Sequence, residues 1–218
     1  MPRNTNTALC RVAVLDYERY STQFLPNIEK SYAAPSKAGD ALDALKVLIA
    51  NVKERTAREE ALNQFERLHG AMQNNRWQYA AAGLMLEHAC TEDEKLVDDL
   101  MPTLPLWIDI LYNDWGENHA DAVQRFFSFL PDHTLRWATT PDAWRAAVGP
   151  QDLEEVATAM AALTPRQFAK HLTGAEGGDI FDNAEAEQIS EWWSELRSVI
   201  RSARREEAGI LVTVSARR

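Results

Sequence analysis

The chain has 218 residues, 45% of them hydrophobic and 26% charged, with a formal charge of −10. That length buries about 70% of the unfolded surface without cross-links, so a disulfide scaffold is excluded, and no stretch approaches the roughly 18 uninterrupted apolar residues of a membrane span. Net acidity argues against a nucleic-acid backbone as partner, and Arg19, Arg55, Arg58, Arg67 and Arg76 are dispersed rather than patterned.

Cys10 and Cys90 form no CxxC and have no companion ligands, so neither a zinc site nor a redox motif is expected; reduced, partly buried thiols are. The N-terminal run around LCRVAVL is too short and interrupted for a secretory h-region, which points to a cytoplasmic protein. No segment has linker composition, so residues 1–218 read as one domain.

Leu9 to Leu15 mixes β-branched and apolar residues and predicts a strand. A helix follows from Asp16 to about Lys30, with Tyr17, Tyr20, Phe24 and Ile28 at spacings of three and four. Leu42, Leu45, Leu48, Ile49 and Val52 mark a second helix; Leu62, Phe65, Leu68 and Met72 mark a third. Trp77 to Ala89 is alanine-rich and apolar nearly all round, the pattern of a buried central helix. Pro102 and Pro105 interrupt the next segment, and helices are expected again at Leu106 to Gly116 and Glu117 to Leu130. Thr134 to Ala138 is an even choice between strand and loop.

Three later helices announce their starts. Thr140-Pro141 before DAWRAAV offers a cap and a proline at the first helical position. Thr164-Pro165-Arg166-Gln167 adds a glutamine that completes a capping box. The longest helix runs from about Asn183 to Glu207, with Ile189, Trp192, Trp193, Leu196, Val199, Ile200 and Ala203 at helical spacing. Because adjacent residues on a helix differ by 100°, one of Trp192 and Trp193 is expected at the edge of its apolar stripe, partly exposed. Intramolecular packing of that indole is favoured over a homodimer, so a monomer is the expected state. Gly209 is placed as the helix C′ residue, ahead of a strand at Ile210 to Val214. The economical arrangement pairs the two terminal strands. The fold class is therefore α+β, predominantly helical, with a small sheet joining the N- and C-terminal strands.

Charge is the feature that rises above background. From Glu87 to Asp121 ten carboxylates face one base, Lys95, a charge of −9 within 35 residues. Such a field either meets something cationic or is a solvated face. With Trp107 and Trp115 inside the run, the leading reading is a non-enzymatic module of the immunity or inhibitor kind. It would bind a basic protein through Asp98, Asp99, Trp107, Asp114, Trp115, Glu117 and Asp121. The alternative is a small-molecule enzyme that uses Glu87 or Glu117 as acid or base and His88 or His119 as proton shuttle. In that reading Asp114 and Asp121 would hold a divalent cation. A single E-x-x-H occurs, Glu66 to His69, short of the two that a di-iron bundle requires; no HExxH or GxSxG occurs, and Gly174 to Asp179 lacks the lysine of a phosphate loop, so no cofactor is expected.

The last stretch, Glu191 to Val214 (EWWSELRSVIRSARREEAGILVTV), resembles the end of the YfbM-like family of small bacterial proteins. Leu196, Ile200, Ala203, Gly209 and the ILVTV strand carry the resemblance, and TPRQFAKHLTG at Thr164 to Gly174 is loosely similar as well. It covers about a quarter of the chain. It implies a mixed α/β fold and supplies no catalytic residues. Ile200 stands where the family has an aromatic, and the acidic helical first half is far longer.

Overall fold

A computed structural model describes residues 8–74, 78–91, 130–140, 143–162, 164–167, 169 and 183–216. Strand β1 (Ala8–Leu15) leads into α1 (Tyr17–Arg19), a π-helical turn (Tyr20–Phe24) and α2 (Leu25–Ala33), which form one continuous helical stretch. Asp16 caps its start by accepting from the Arg19 backbone N–H. The π turn ends two residues before Pro26, whose ring has no N–H to give and crowds the carbonyl four residues back in a regular helix. Tyr20, Phe24 and Ile28 are buried, as their spacing predicted.

Helices α3 (Gly39–Ala50), α4 (Arg55–Gln73) and α5 (Tyr79–Cys90) complete the first helical layer. Leu42, Leu45, Leu48, Ile49 and Val52 face inward from α3 and its end. Phe65, Leu68 and Met72 do so from α4, together with Ala57 and Ala61. Helix α5 is buried nearly all round, and its alanines let it lie close against α4. Two 3-10 turns (Leu130–His133 and Arg136–Ala138) then lead to β2 (Ala143–Val148), α6 (Pro150–Ala161), α7 (Asn183–Arg205) and β3 (Gly209–Ala216).

The sheet has the order β1-β3-β2, antiparallel throughout. The terminal strands pair in full, from Ala8 opposite Ala216 to Leu15 opposite Gly209, so the expected joining of the chain ends is present. Side chains alternate across the sheet. Leu15, Ala147 and Leu211 enter the core built with α1 to α5. Val12, Val14, Ala146, Val148, Ile210 and Val212 are buried on the other parity, and α7 packs along β1 and β3. The fold is mainly helical with a small three-stranded sheet among the described residues.

Three local expectations are corrected and one open choice is settled. DAWRAAV does not open a helix: its Ala143–Val148 portion is β2, held between β3 and a bridge from Thr134 to Ala146. Tertiary pairing overrides a local helix-start signal here, because the segment lies between a central strand and a covering loop. The proline that does open a helix nearby is Pro150, with Leu153 bonding back to the Gly149 carbonyl at 2.9 Å. Thr134 to Ala138 is no strand beyond that single bridge; it turns into the 3-10 segment.

Trp192 and Trp193 are both fully buried, each at 0% exposure, because α7 is covered on two sides, by the sheet and by α6. Gly209 is not the C′ residue of α7. Glu207 takes that position with φ of 53°, and Ala208 N–H to Ala203 carbonyl (2.9 Å) with Glu207 N–H to Arg204 carbonyl (3.1 Å) completes a Schellman motif. Gly209 already belongs to β3, where a Cβ would collide with the Val148 carbonyl of the neighbouring strand. The capping box at Thr164 is present: Thr164 N–H donates to Gln167 Oε1 at 2.9 Å and Gln167 N–H to Thr164 Oγ1 at 3.3 Å. The helices expected at Leu106 to Gly116 and Glu117 to Leu130 lie outside the described residues.

Candidate functional site

Arg11, Thr213 and Arg145 stand opposite one another across all three strands, one polar row on the face toward α5. Glu87, in the last turn of α5, meets that row. Its Oε1 accepts from Arg145 Nε at 2.6 Å and from the Thr213 hydroxyl at 3.0 Å. Its Oε2 lies 3.6 Å from Arg11 Nη1. Arg145 Nη1 donates to the Ala138 carbonyl at 3.1 Å, which ties the 3-10 turn into the same cluster. Glu87 is 7% exposed and Arg145 3%, so this is an ion pair taken out of water.

Desolvating two charges is expensive, and the geometry compensates with charge-assisted hydrogen bonds on both partners. Space for the guanidinium comes from Gly83, one turn before Glu87 on the same helix face. A Cβ at Gly83 would stand 2.6 Å from Arg145 Nη1 and 2.7 Å from its Cζ.

His88, beside Glu87, is half-buried and turns to α4, with Nε2 3.8 Å from Glu60 Oε2. Glu87 and His88 share a cavity of only about 20 Å³ with Arg11, Thr91 and Thr213, room for a single water. His88 also lines a larger cleft of about 450 Å³, where the ends of α5 and the starts of α1 and α4 converge. Cys90 lies on its wall as a free thiol, and burial pushes that thiol well above the usual range, away from the thiolate form. Glu54 accepts from the Thr56 and Ala57 backbone N–H groups, and these bonds hold its carboxyl below the ordinary value.

The residues singled out from sequence therefore separate. Glu87 and His88 are neighbours in the chain but serve different surroundings: Glu87 is committed to the sheet and His88 to α4 and the cleft. Asp98, Asp99, Trp107, Asp114, Trp115, Glu117, His119 and Asp121 lie outside the described residues. Among the described residues no group of three His, Cys, Asp or Glu side chains gathers as a metal site, and no helix is long and apolar enough to cross a membrane. Sequence reasoning missed Arg11, Arg145, Thr213 and Gly83. Their faint signals were an arginine within AWRAAV, a threonine within ILVTV and a glycine in an alanine-rich helix. Compared with known proteins, the chain matches no family model, no curated sequence and no solved structure.

Proposed function

We propose that the protein is an acidic recognition module that binds, and neutralises, a basic protein partner. One observation carries this reading: the concentration of charge in the sequence. Setting aside Glu87, which is spent on the internal cluster, nine carboxylates and one lysine remain between Glu92 and Asp121, a charge of −8 in 30 residues. Opposite charge accelerates encounter and selects among partners, and Trp107 and Trp115 would add apolar anchors to the contact. Kinship with the YfbM-like family belongs to this proposal too, resting on the α7–β3 segment, and it adds no chemistry.

Pull-down from the native cell at low and high salt is the test. A basic protein retained at low salt and released at high salt is expected, and reversing Asp98, Asp99, Asp114 and Glu117 together should abolish its capture. Absence of any basic partner, or capture indifferent to the reversal, overturns the reading.

The enzyme reading retains one supporting observation, His88 in the wall of the 450 Å³ cleft. It loses Glu87 as acid or base, since both carboxylate oxygens are engaged by Arg145, Thr213 and Arg11. The cavity that holds both Glu87 and His88 is too small for a substrate.

A further inference from the structure

The cleft at the end of α5 has a composition of its own. Its floor is apolar: Val52, Ala57, Ala89 and Cys90 are all buried there. Its rim carries Asp16, Arg19, Lys53 and Glu54, which balance in formal charge. The balance conceals an asymmetry in what is already engaged. Asp16 accepts from the Arg19 backbone N–H at 3.0 Å and has the Arg19 Nε at 3.6 Å. Glu54 spends both oxygens on the first N–H groups of α4. Arg19 gives one nitrogen to the Ala89 carbonyl at 3.1 Å and keeps further N–H groups. Lys53 is exposed and has no ion pair or hydrogen bond among the described residues. Donor capacity is thus left at the rim on Lys53 and Arg19, beside an apolar floor.

We propose that this cleft binds a small organic monocarboxylate, its carboxylate at Lys53 and Arg19 and its hydrocarbon body on Val52, Ala57 and Ala89. The volume of about 450 Å³ lies in the range that holds small ligands. A monoanion is favoured over a phosphate because Asp16 and Glu54 stand on the same rim and would repel a second charge. Hydrocarbon recognition follows from the floor, where Val52, Ala57, Ala89 and Cys90 are buried side by side, with His88 and Thr91 as the polar groups of the wall.

The test is an amide-resolved NMR titration of the full chain with benzoate, using benzamide as the neutral isostere. Saturable shifts at the Ala57, Ala89, Cys90 and Thr91 amides are expected with benzoate at a dissociation constant of about 1 mM, in keeping with so small a ligand. Benzamide should bind about tenfold more weakly, and Lys53→Met should weaken benzoate about five- to tenfold, the loss of one charge-assisted contact. Lys53 is exposed, so the variant keeps the fold; Lys53→Gln, which retains polarity without charge, should weaken binding as much. Lys37→Met, at an exposed lysine in the 3-10 turn Pro35–Lys37, should leave it unchanged. The proposal is overturned by an absence of saturable shifts up to about 20 mM. It is overturned equally by benzamide matching benzoate, or by Lys37→Met weakening binding as much as Lys53→Met.

Discussion

The sheet has two buried faces, and the same three strands furnish them with opposite chemistry. Toward α7 the rows are Val12, Val212 and Ala146, then Val14, Ile210 and Val148, and Trp192 and Trp193 are buried on the helix that packs along β1 and β3. Toward α5 the sheet presents the row Arg11, Thr213 and Arg145, answered by Glu87. The apolar face is non-directional, and its stability follows area and volume. The polar face is directional: buried Glu87 and Arg145 are each costly alone and satisfied only in this arrangement. A one-residue slip of any strand would move its member of the polar row onto the apolar face. The Glu87 cluster therefore specifies register, while the face toward α7 supplies cohesion.

The comparison breaks most visibly at the centre of each face. Glu87→Ala should cost about 3–5 kcal/mol, because it leaves Arg145 buried and unpaired. Trp193→Ala should cost about the same, through lost burial and a cavity. Urea midpoints with unchanged slopes would measure both. The faces then part company on repair. The pair Glu87→Met with Arg145→Met should return to within about 1 kcal/mol of the wild type, since apolar replacement of a buried ion pair is often neutral. Arg11 can follow, because its side chain is already 39% exposed and can turn to solvent. A double variant no more stable than Glu87→Ala would show that the cluster contributes cohesion and not register alone.

Two glycines sharpen the contrast at intermediate size. Gly209→Ala places a methyl against the Val148 backbone carbonyl, which cannot move without parting β2 from β3, so a loss of about 2–3 kcal/mol is expected. Gly83→Ala sets two effects against each other: a gain of about 1 kcal/mol in helix propensity and the displacement of the Arg145 guanidinium. Displacement should win, for a net loss of about 1–2 kcal/mol. In an Arg145→Met background the obstacle is gone, and the same substitution should become stabilising. Thermal or urea unfolding of the four proteins of this cycle decides it; a sign that does not reverse would separate Gly83 from Arg145.

Where local pattern and tertiary environment agree, the sequence was legible. Tyr20, Phe24 and Ile28, the leucines of α3, and the ILVTV strand all lie where periodicity put them. β2 was misread because Thr140-Pro141 and an alanine-rich run are helix signals locally, while the pairing that makes them a strand comes from Ile210 to Ser215 at the far end of the chain. The polar cluster was hidden for the same reason. Glu87 stood out for its neighbours in the acidic run, but its partners lie 58 and 126 residues away, beyond any local spacing rule. The Trp192 and Trp193 expectation failed because a stripe argument assumes one covering layer, and α7 has two.

The smallest expected effect lies at the junction between α7 and β3, outside both faces, where backbone conformation and not packing sets the energy. Glu207 holds φ at 53°, a left-handed position that costs a residue with a Cβ about 1 kcal/mol. The Schellman bonds from Glu207 and Ala208 keep it there. Glu207→Gly removes that strain but adds freedom to the unfolded chain, so the two terms offset in part. The net should be a gain of at most about 0.5–1 kcal/mol, read as a small rise in urea midpoint at constant slope. The substitution also removes an exposed carboxylate close to Arg204 and Arg205, whose positive charges already complement the helix C-terminus. Repeating the measurement in high salt separates the contributions: a gain that persists is conformational, and one that vanishes is electrostatic. A loss of stability in both salts would mean that Glu207 holds the junction through its side chain, and that strain is not what limits the turn into β3.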